Sequence, residues 1–188
     1  AGLRPLVRAG DSKDTKALSR DHRIVISESG LVTITGGKWT TYRKMAEDVI
    51  DQAEKAAGRE PRPCPTRELA IHGATSERPA DARLAPYGTD AGAIQDLVKT
   101  TPELGEPVHP GLPLTRAEVR WHAEHEMART VEDVLARRTR FLLLDARASM
   151  EAAPAVAREL AACLGRDAPW IDRQVSSYRE LARGYVFT

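Results

Sequence analysis

A predicted strand runs through two adjacent glycines directly into a helix start, and this junction constrains the chain more than any other feature. Apolar and polar residues alternate from Leu31 to Thr35, and Gly36 and Gly37 follow. The first amides of a helix lack intrahelical acceptors and carry a partial positive charge. The glycines would let a ligand's polar atoms approach these amides, and Lys38 adds a full positive charge. The junction therefore predicts half of a cofactor or phosphate site.

The residues around this junction are typical of a mixed α and β region. Two β-prone runs, 23–27 and 31–35, are separated by Glu28-Ser29-Gly30, which predicts a hairpin. Apolar residues at helical spacing predict a helix from about Trp39 to Ala57, and Gly58 is a natural stop for it.

A proline-rich stretch separates this region from a second one with helical periodicity. Pro61, Pro63 and Pro65 exclude regular structure around them, which is typical of a linker. We expect an α+β fold that is mostly α, with a first domain at 1–57, a linker at 58–65 and a helical domain at 66–188.

The second region contains several helix-start signals. Thr115 and Glu118 have the spacing of a capping box. A helix starting at Ser149 is also expected, with Pro154 tolerated only near its first turn. The remaining predicted starts lie at Thr89 with Asp90, at Thr130, and after Pro169.

Composition excludes several classes of function. The net charge is +1 and aromatic residues make up 5% of the chain, so no nucleic-acid partner is expected. Cys64 and Cys163 lie far apart in the sequence, which favours a reducing, cytoplasmic location. The longest strongly apolar run, Phe141 to Leu144, is far shorter than the roughly 20 residues of a membrane span. The chain opens at Ala1 without methionine, and we expect it to be a piece of a longer polypeptide.

Three cations form a candidate anion site. Arg4 lies in an extended, proline-containing context, Arg20 precedes the hairpin and Lys38 follows it. If the strands pair, Arg20 and Lys38 lie near the same end of the hairpin. Guanidinium groups favour bidentate contact with phosphate or carboxylate. The alternative is that each residue is an ordinary solvated surface charge.

Two histidines on one helix raise the question of a metal. His122 and His125 share a helix face, with Glu118 and Glu126 nearby. The spacing differs from HExxH and no third ligand is evident, so no metal is expected. These residues are interpreted as helix-surface or interface residues.

Three segments together resemble one family. They are Gly2 to Leu6, the run from Gly36 to Glu47 (GGKWTTYRKMAE), and the run from His125 to Arg140 (HEMARTVEDVLARRTR). They are similar to the carboxy-terminal third of the FAD-dependent, aerobic-type glycerol-3-phosphate dehydrogenases. The resemblance covers essentially the whole chain.

The resemblance implies an architecture and a set of site residues. Residues 1–57 would be the last strands and closing helix of a glycine-oxidase-like FAD domain, and 66–188 a helical carboxy-terminal domain. Arg4 and Arg20 match substrate-contacting arginines, and Lys38 matches a lysine beside flavin and substrate. Arg4 and Lys38 would thereby take part in catalysis. The turn whose backbone approaches the flavin comprises Gly36, Gly37, Lys38, Trp39, Thr40 and Thr41.

The implied reaction is hydride transfer from glycerol 3-phosphate to FAD, with electrons passed to a quinone. The resemblance further implies peripheral contact with the inner face of the cell membrane and assembly as a homodimer. The general base is not identified, and the chain alone is expected to be inactive because the GxGxxG segment for the ADP half of FAD is absent. Two alternatives stay open: an oxidase that uses oxygen, and a stand-alone helical interaction module.

Overall fold

The computed structural model describes residues 21–186. The predicted site residues Arg4 and Arg20 lie outside this range. The chain divides into two compact units whose boundary falls between Ala70 and Ile71. Each unit is described by itself below.

The first unit contains the expected hairpin. Strands β1 (His22–Ile26) and β2 (Val32–Gly36) pair antiparallel, with Ile24 opposite Ile34. The Gly30 amide donates to the Ser27 carbonyl at 2.9 Å and closes the turn. The local turn and strand signals were therefore sufficient to predict this element.

A helix follows the hairpin without an intervening loop. A short 3₁₀ turn at Trp39–Thr41 leads into α1 (Tyr42–Ala56). The helix stops before Gly58, whose φ of 70° is left-handed. One face of the hairpin is joined to α1 by His22, whose Nε2 lies 3.0 Å from Oδ2 of Asp48.

The hairpin and α1 bury little of their apolar surface. No residue of β1, β2 or α1 is buried within the described part of the chain. The exposed fractions of Val25 and Leu31 are 45% and 66%. An isolated two-stranded hairpin is only marginally stable in water. The described part of this unit therefore leaves apolar side chains of the hairpin exposed.

The second unit is helical and has a mostly apolar core. Its helices are α2 (Ala91–Thr100), α3 (Arg116–His125), α4 (Phe141–Leu144), α5 (Ala146–Leu164) and α6 (Ala168–Arg183). A 3₁₀ segment at Ala82–Asp90 precedes α2, and a π-helical turn at Asp133–Arg138 follows α3.

Two apolar clusters form this core. The larger one contains fully buried residues such as Val134, Val156 and Leu160, and the smaller one contains Leu84 and Ile94. The expected α+β, mostly α fold class is confirmed.

Two of the predicted helix-start signals, at Thr115 and Thr130, make capping contacts, whereas Asp90 caps α2 without a side-chain hydrogen bond and α6 begins at Ala168, before Pro169. The Thr115 amide and hydroxyl donate to Oε2 of Glu118 at 2.9 and 2.8 Å, which confirms the capping box. The Thr130 hydroxyl accepts from the Asp133 amide at 3.1 Å at the start of the next helical turn.

The prediction for α5 was wrong in two respects. The helix begins at Ala146 rather than Ser149, because Asp145 caps it by accepting from the Ala148 amide at 2.9 Å. Pro154 consequently lies inside the helix and not in its first turn. A proline cannot donate to the carbonyl four residues earlier. That carbonyl, of Met150, instead accepts from Nε of Arg179 on α6 at 3.3 Å.

Within residues 21–186, no helix is both long enough and apolar enough to cross a bilayer. Both cysteines, Cys64 and Cys163, carry free thiols.

The kink before α2 provides a test of the second unit's packing. Gly88 has a φ of 56°, and a Cβ there would overlap the carbonyl oxygen of Gly73. Backbone atoms cannot easily move away from the added Cβ. We therefore expect Gly88→Ala to lower the free energy of unfolding by at least about 3 kcal/mol. Urea denaturation at pH 7 measures this change.

Gly92 is the matched control because it lies in helical conformation with nothing within 4 Å of its Cβ position. Gly92→Ala is expected to leave stability unchanged or raise it by about 0.5 kcal/mol. Equal stability of the Gly88 variant and the unmodified chain would contradict the packing at this kink.

Candidate functional site

The glycine junction adopts the conformation that glycine alone favours. Gly36 and Gly37 have φ values of 84° and 73°. A Cβ on Gly37 would overlap Sδ of Met45 and lie 2.8 Å from its Cε. This corrects the sequence interpretation, in which a Cβ would block an approaching ligand. The side of Gly37 that a Cβ would occupy is filled by α1 itself, so a substitution there would first disturb the packing of hairpin on helix.

The turn after the glycines is closed by Thr41. Its hydroxyl accepts from the Lys38 amide at 3.1 Å and donates to the Lys38 carbonyl at 3.0 Å. The Thr41 amide also donates to that carbonyl, at 3.0 Å. The Thr41 side chain is therefore engaged in the turn. The first amides of the helical run, at Trp39 and Thr40, have no intrahelical acceptor and are available to a ligand.

Two aromatic rings project from the same turn. The Trp39 side chain is 87% exposed and that of Tyr42 is 63% exposed. Their ring centroids lie 5.8 Å apart with an interplanar angle of 30°. Burial of such rings stabilises contacts strongly, so exposed aromatic residues beside polar amides are typical of a contact surface.

Lys38 differs electrostatically from the cations that follow it. Arg43 pairs with Glu47 at 2.9 Å, and Lys44 pairs with Asp48 at 2.8 Å. These pairs hold the pKa of Glu47 and that of Asp48 below their usual values, mainly through hydrogen bonds from Arg43 and Lys44 respectively. Lys38 is exposed and pairs with no carboxylate in the described range. Its charge is therefore available to an anion.

The structure thus brings together part of the predicted site. Gly36, Gly37, Lys38, Trp39, Thr40 and Thr41 form one continuous turn. The convergence of Arg4 and Arg20 on Lys38 stays a prediction, because both arginines lie outside the described residues. Helix amides, an unpaired ammonium group and exposed rings can together bind a planar or anionic ligand that gains negative charge.

Comparison with known proteins shows to which family the chain belongs. Residues 29–170 match the family described as the C-terminal domain of alpha-glycerophosphate oxidase. This chain belongs to that family. The expected resemblance to the carboxy-terminal portion of FAD-dependent glycerol-3-phosphate dehydrogenases is confirmed by the matched range and by the relatives below.

Three relatives carry the name glycerol-3-phosphate dehydrogenase, mitochondrial. The bovine protein (Bos taurus) is 35% identical and the human protein (Homo sapiens) 34% identical, each over 100% of this chain. A relative from Arabidopsis thaliana is 34% identical over 86% of the chain. This chain spans only 28% of the bovine and human proteins and 30% of the plant protein.

A polar network in the second unit was missed by sequence reasoning. His122 was expected on a surface or interface, yet it is only 2% exposed. Its Nε2 lies 2.8 Å from the Tyr87 hydroxyl, and that hydroxyl lies 3.3 Å from Oε1 of Glu118. Tyr87 is 35 positions from His122, so no local pattern could have revealed the contact.

The network fixes the protonation of its members. We assign the His122 proton to Nε2, because Nε2–H then donates to Tyr87 and the Tyr87 hydroxyl donates to Glu118. Nδ1, buried without a partner in the described range, is then an unprotonated acceptor. Burial lowers the pKa of His122 to about 4, with Arg138 adding to the effect, and burial raises the pKa of Tyr87.

Carboxylates around the histidines are occupied by cations rather than arranged around a metal. Glu118 pairs with Arg83, and Glu126 lies 3.5 Å from Nε of Arg138. The Trp121 ring stacks on His125 with centroids 3.8 Å apart. Residues 21–186 contain no group of three ligands that could hold a metal ion.

Burial of neutral His122 predicts an acid-dependent loss of stability. Between pH 6.5 and about 4 the unfolded chain binds a proton at this position and the folded chain does not. Stability is therefore complete above pH 6.5 and falls as the pH decreases. His122→Gln keeps an N–H donor for Tyr87 but cannot titrate. From pH 7 to 4.5, the unmodified chain should lose about 2 to 3 kcal/mol more stability than this variant.

Chemical denaturation of both proteins at several pH values measures this difference. The comparison at pH 7, where the histidine is neutral in both states, isolates the packing cost of the substitution. Parallel pH profiles for the two proteins would show that His122 does not titrate as described.

Proposed function

We propose that this chain is the carboxy-terminal part of an FAD-dependent dehydrogenase that oxidises sn-glycerol 3-phosphate to dihydroxyacetone phosphate. The relatives named above support this activity, and the chain's 28% coverage of the bovine protein supports its being one part of a longer polypeptide. The single structural observation that carries the proposal is the helix-start turn, where available amides lie beside Lys38, which pairs with no carboxylate within residues 21–186.

The first unit has the properties expected of an incomplete domain. Within residues 21–186 each strand of its two-stranded sheet has one unpaired edge, and the apolar side chains of Val25 and Leu31 are exposed. Unpaired sheet edges are normally covered or paired in native proteins. We therefore propose that residues 1–57 complete an FAD-binding domain whose remaining strands precede them, that 58–65 link the domains, and that 66–188 form the helical domain.

The residues of the turn suit one edge of a flavin. Backbone amides at Trp39 and Thr40 would face it, Gly36 would allow close approach, and Lys38 would supply a cation. Bound FAD would accept the hydride from C2 of the substrate. The turn orients these backbone amides before reaction, so they would stabilise negative charge with little reorganisation, and Lys38 would add a positive charge.

Substrate orientation would depend on the other cations. Arg4 and Arg20 would hold the phosphate end through bidentate hydrogen bonds, and Lys38 would lie near the reacting oxygen. Such fixation lowers the barrier because the reacting atom is already placed against its acceptor. The general base belongs to no residue identified in this chain, so we place it in the preceding part of the polypeptide.

The electron acceptor we propose is a quinone, reached through peripheral contact with the inner face of the cell membrane. The alternative is an oxidase that passes electrons to oxygen, as the family description of a glycerophosphate oxidase suggests. Peroxide and quinol measured side by side with the longer polypeptide distinguish the two. A homodimer of that polypeptide is part of the proposal.

A second candidate function is a stand-alone helical interaction module. Its support is the dense charge of the surface after Thr115, although Arg137 and Arg138 pair internally with Glu132 and Glu126. A reading frame that continues upstream into a GxGxxG strand–helix unit would exclude this candidate.

Replacement of Lys38 tests the proposed site directly. In the longer polypeptide, Lys38→Gln is expected to lower kcat/KM for glycerol 3-phosphate at least about tenfold, because a charge-assisted contact to substrate and cofactor is lost. Lys44→Gln is the control, since Lys44 already pairs with Asp48 at 2.8 Å. Steady-state kinetics and the flavin content of both variants provide the measurement.

The Lys44 variant should retain kcat/KM within about twofold, because exposed pairs on a helix contribute little. Unchanged kinetics of the Lys38 variant at full flavin content would remove the glycine junction from the active site.

A further inference from the structure

A cavity of about 320 Å³ lies in the second unit between α3, α5 and the loop before α3. It contains no residue assigned to the flavin site. From α3, Arg116 and Arg120 line it, four residues apart and therefore on one helix face. From α5, Arg158 and Glu159 line it. The cavity is thus surrounded by charged groups from two helices.

Small side chains on α5 leave the space open. Ala155 and Ala162 line the cavity at positions three residues to either side of the charged pair Arg158-Glu159. Spacings of three and four residues place all four on one face of α5. Longer side chains at the two alanines would fill the volume.

Glu159 holds two of the arginines in fixed orientations. Glu159 is only 3% exposed. Oε1 accepts from Nη2 of Arg120 at 2.7 Å, and Oε2 accepts from Nε of Arg116 at 3.1 Å. A buried carboxylate requires such partners, and the two contacts neutralise it fully. The guanidinium planes are consequently oriented before any ligand arrives.

The arginines that line the cavity carry more N–H donors than the lining carboxylates can accept. In the described part of the chain, Nη1 of Arg116 lies near one further carboxylate, that of exposed Glu106, at 3.6 Å. Arg158 is exposed and pairs with no carboxylate within residues 21–186. The guanidinium groups of Arg116, Arg120 and Arg158 thus face two carboxylates, of which one is buried and already satisfied. The remaining positive charge and free N–H groups favour an anion.

We propose that this cavity binds a phosphate group, carried by a soluble phosphate ester or by a lipid headgroup. A phosphate group offers several acceptor oxygens and up to two negative charges. It can therefore accept hydrogen bonds from the three guanidinium groups that line the cavity, whereas a single carboxylate has only two oxygens and one charge. Arg158 provides the contact that the helix packing does not need, because Glu159 is neutralised without it.

Binding of inorganic phosphate to the 188-residue chain tests the proposal. Isothermal titration at low ionic strength should show saturable binding for the unmodified chain, and Arg158→Ala should weaken it at least about tenfold. Arg158→Ala leaves both contacts of Glu159 in place, so the fold is expected to persist, which circular dichroism checks.

A control variant separates this site from other surface cations. Arg173→Ala removes an exposed arginine of α6 that does not line the cavity. It should retain the phosphate affinity. No saturation below about 10 mM phosphate, or equal affinity of the Arg158 variant and the unmodified chain, would overturn the proposal.

The same variants identify the source of the phosphate group. Binding to phosphatidic acid vesicles over phosphatidylcholine vesicles, lost in Arg158→Ala, would support a lipid headgroup. Arg158-dependent binding of glycerol 3-phosphate without vesicle binding would support a soluble ester. If either ligand binds equally to the Arg158 variant, the cavity is not its site.

Discussion

Two buried carboxylates on α3 and α5 organise the helical unit. Glu118 and Glu159 are each 3% exposed, and a charge at such a position requires close partners because burial removes its hydration. Glu118 is neutralised by Arg83 and accepts from Thr115, and Glu159 is neutralised by Arg116 and Arg120. These contacts join α3 to the segment before α2 and to α5. Residues of α3 belong to both apolar clusters, so these buried ion pairs connect the packing on its two sides.

The hairpin unit differs from the helical unit in how little it buries. Its hairpin and α1 bury no side chain fully, and its connections are local turns and exposed ion pairs such as Lys44 with Asp48. Exposed pairs contribute little to stability. The available charge of Lys38, the amides after Gly37 and the exposed Trp39 ring are features of a surface that meets other groups. The proposed flavin-domain role is consistent with the low burial of the hairpin and α1.

Sequence reasoning succeeded where the determining contacts are local. The hairpin turn at Gly30, the stop at Gly58 and the capping box of Thr115 with Glu118 each involve residues within four positions of one another. The prediction for Pro154 was wrong. Proline has no amide to donate to the Met150 carbonyl, and Arg179 on another helix donates to that carbonyl instead. The prediction for His122 was wrong for the same reason, because Tyr87 lies far away in the sequence.

The amino-acid sequence by itself determined the order of strand, glycine turn and helices, the family, and the position of the predicted cations along the chain. Local backbone preferences and capping hydrogen bonds suffice for the order of the elements, and the family follows from the similarity of three sequence segments. Only the tertiary structure decided that Met45 fills the space beside Gly37, that His122 is buried and neutral, and that Arg158 faces a cavity. Burial and charge pairing depend on residues brought together from distant positions, and helical periodicity does not specify which helix faces meet.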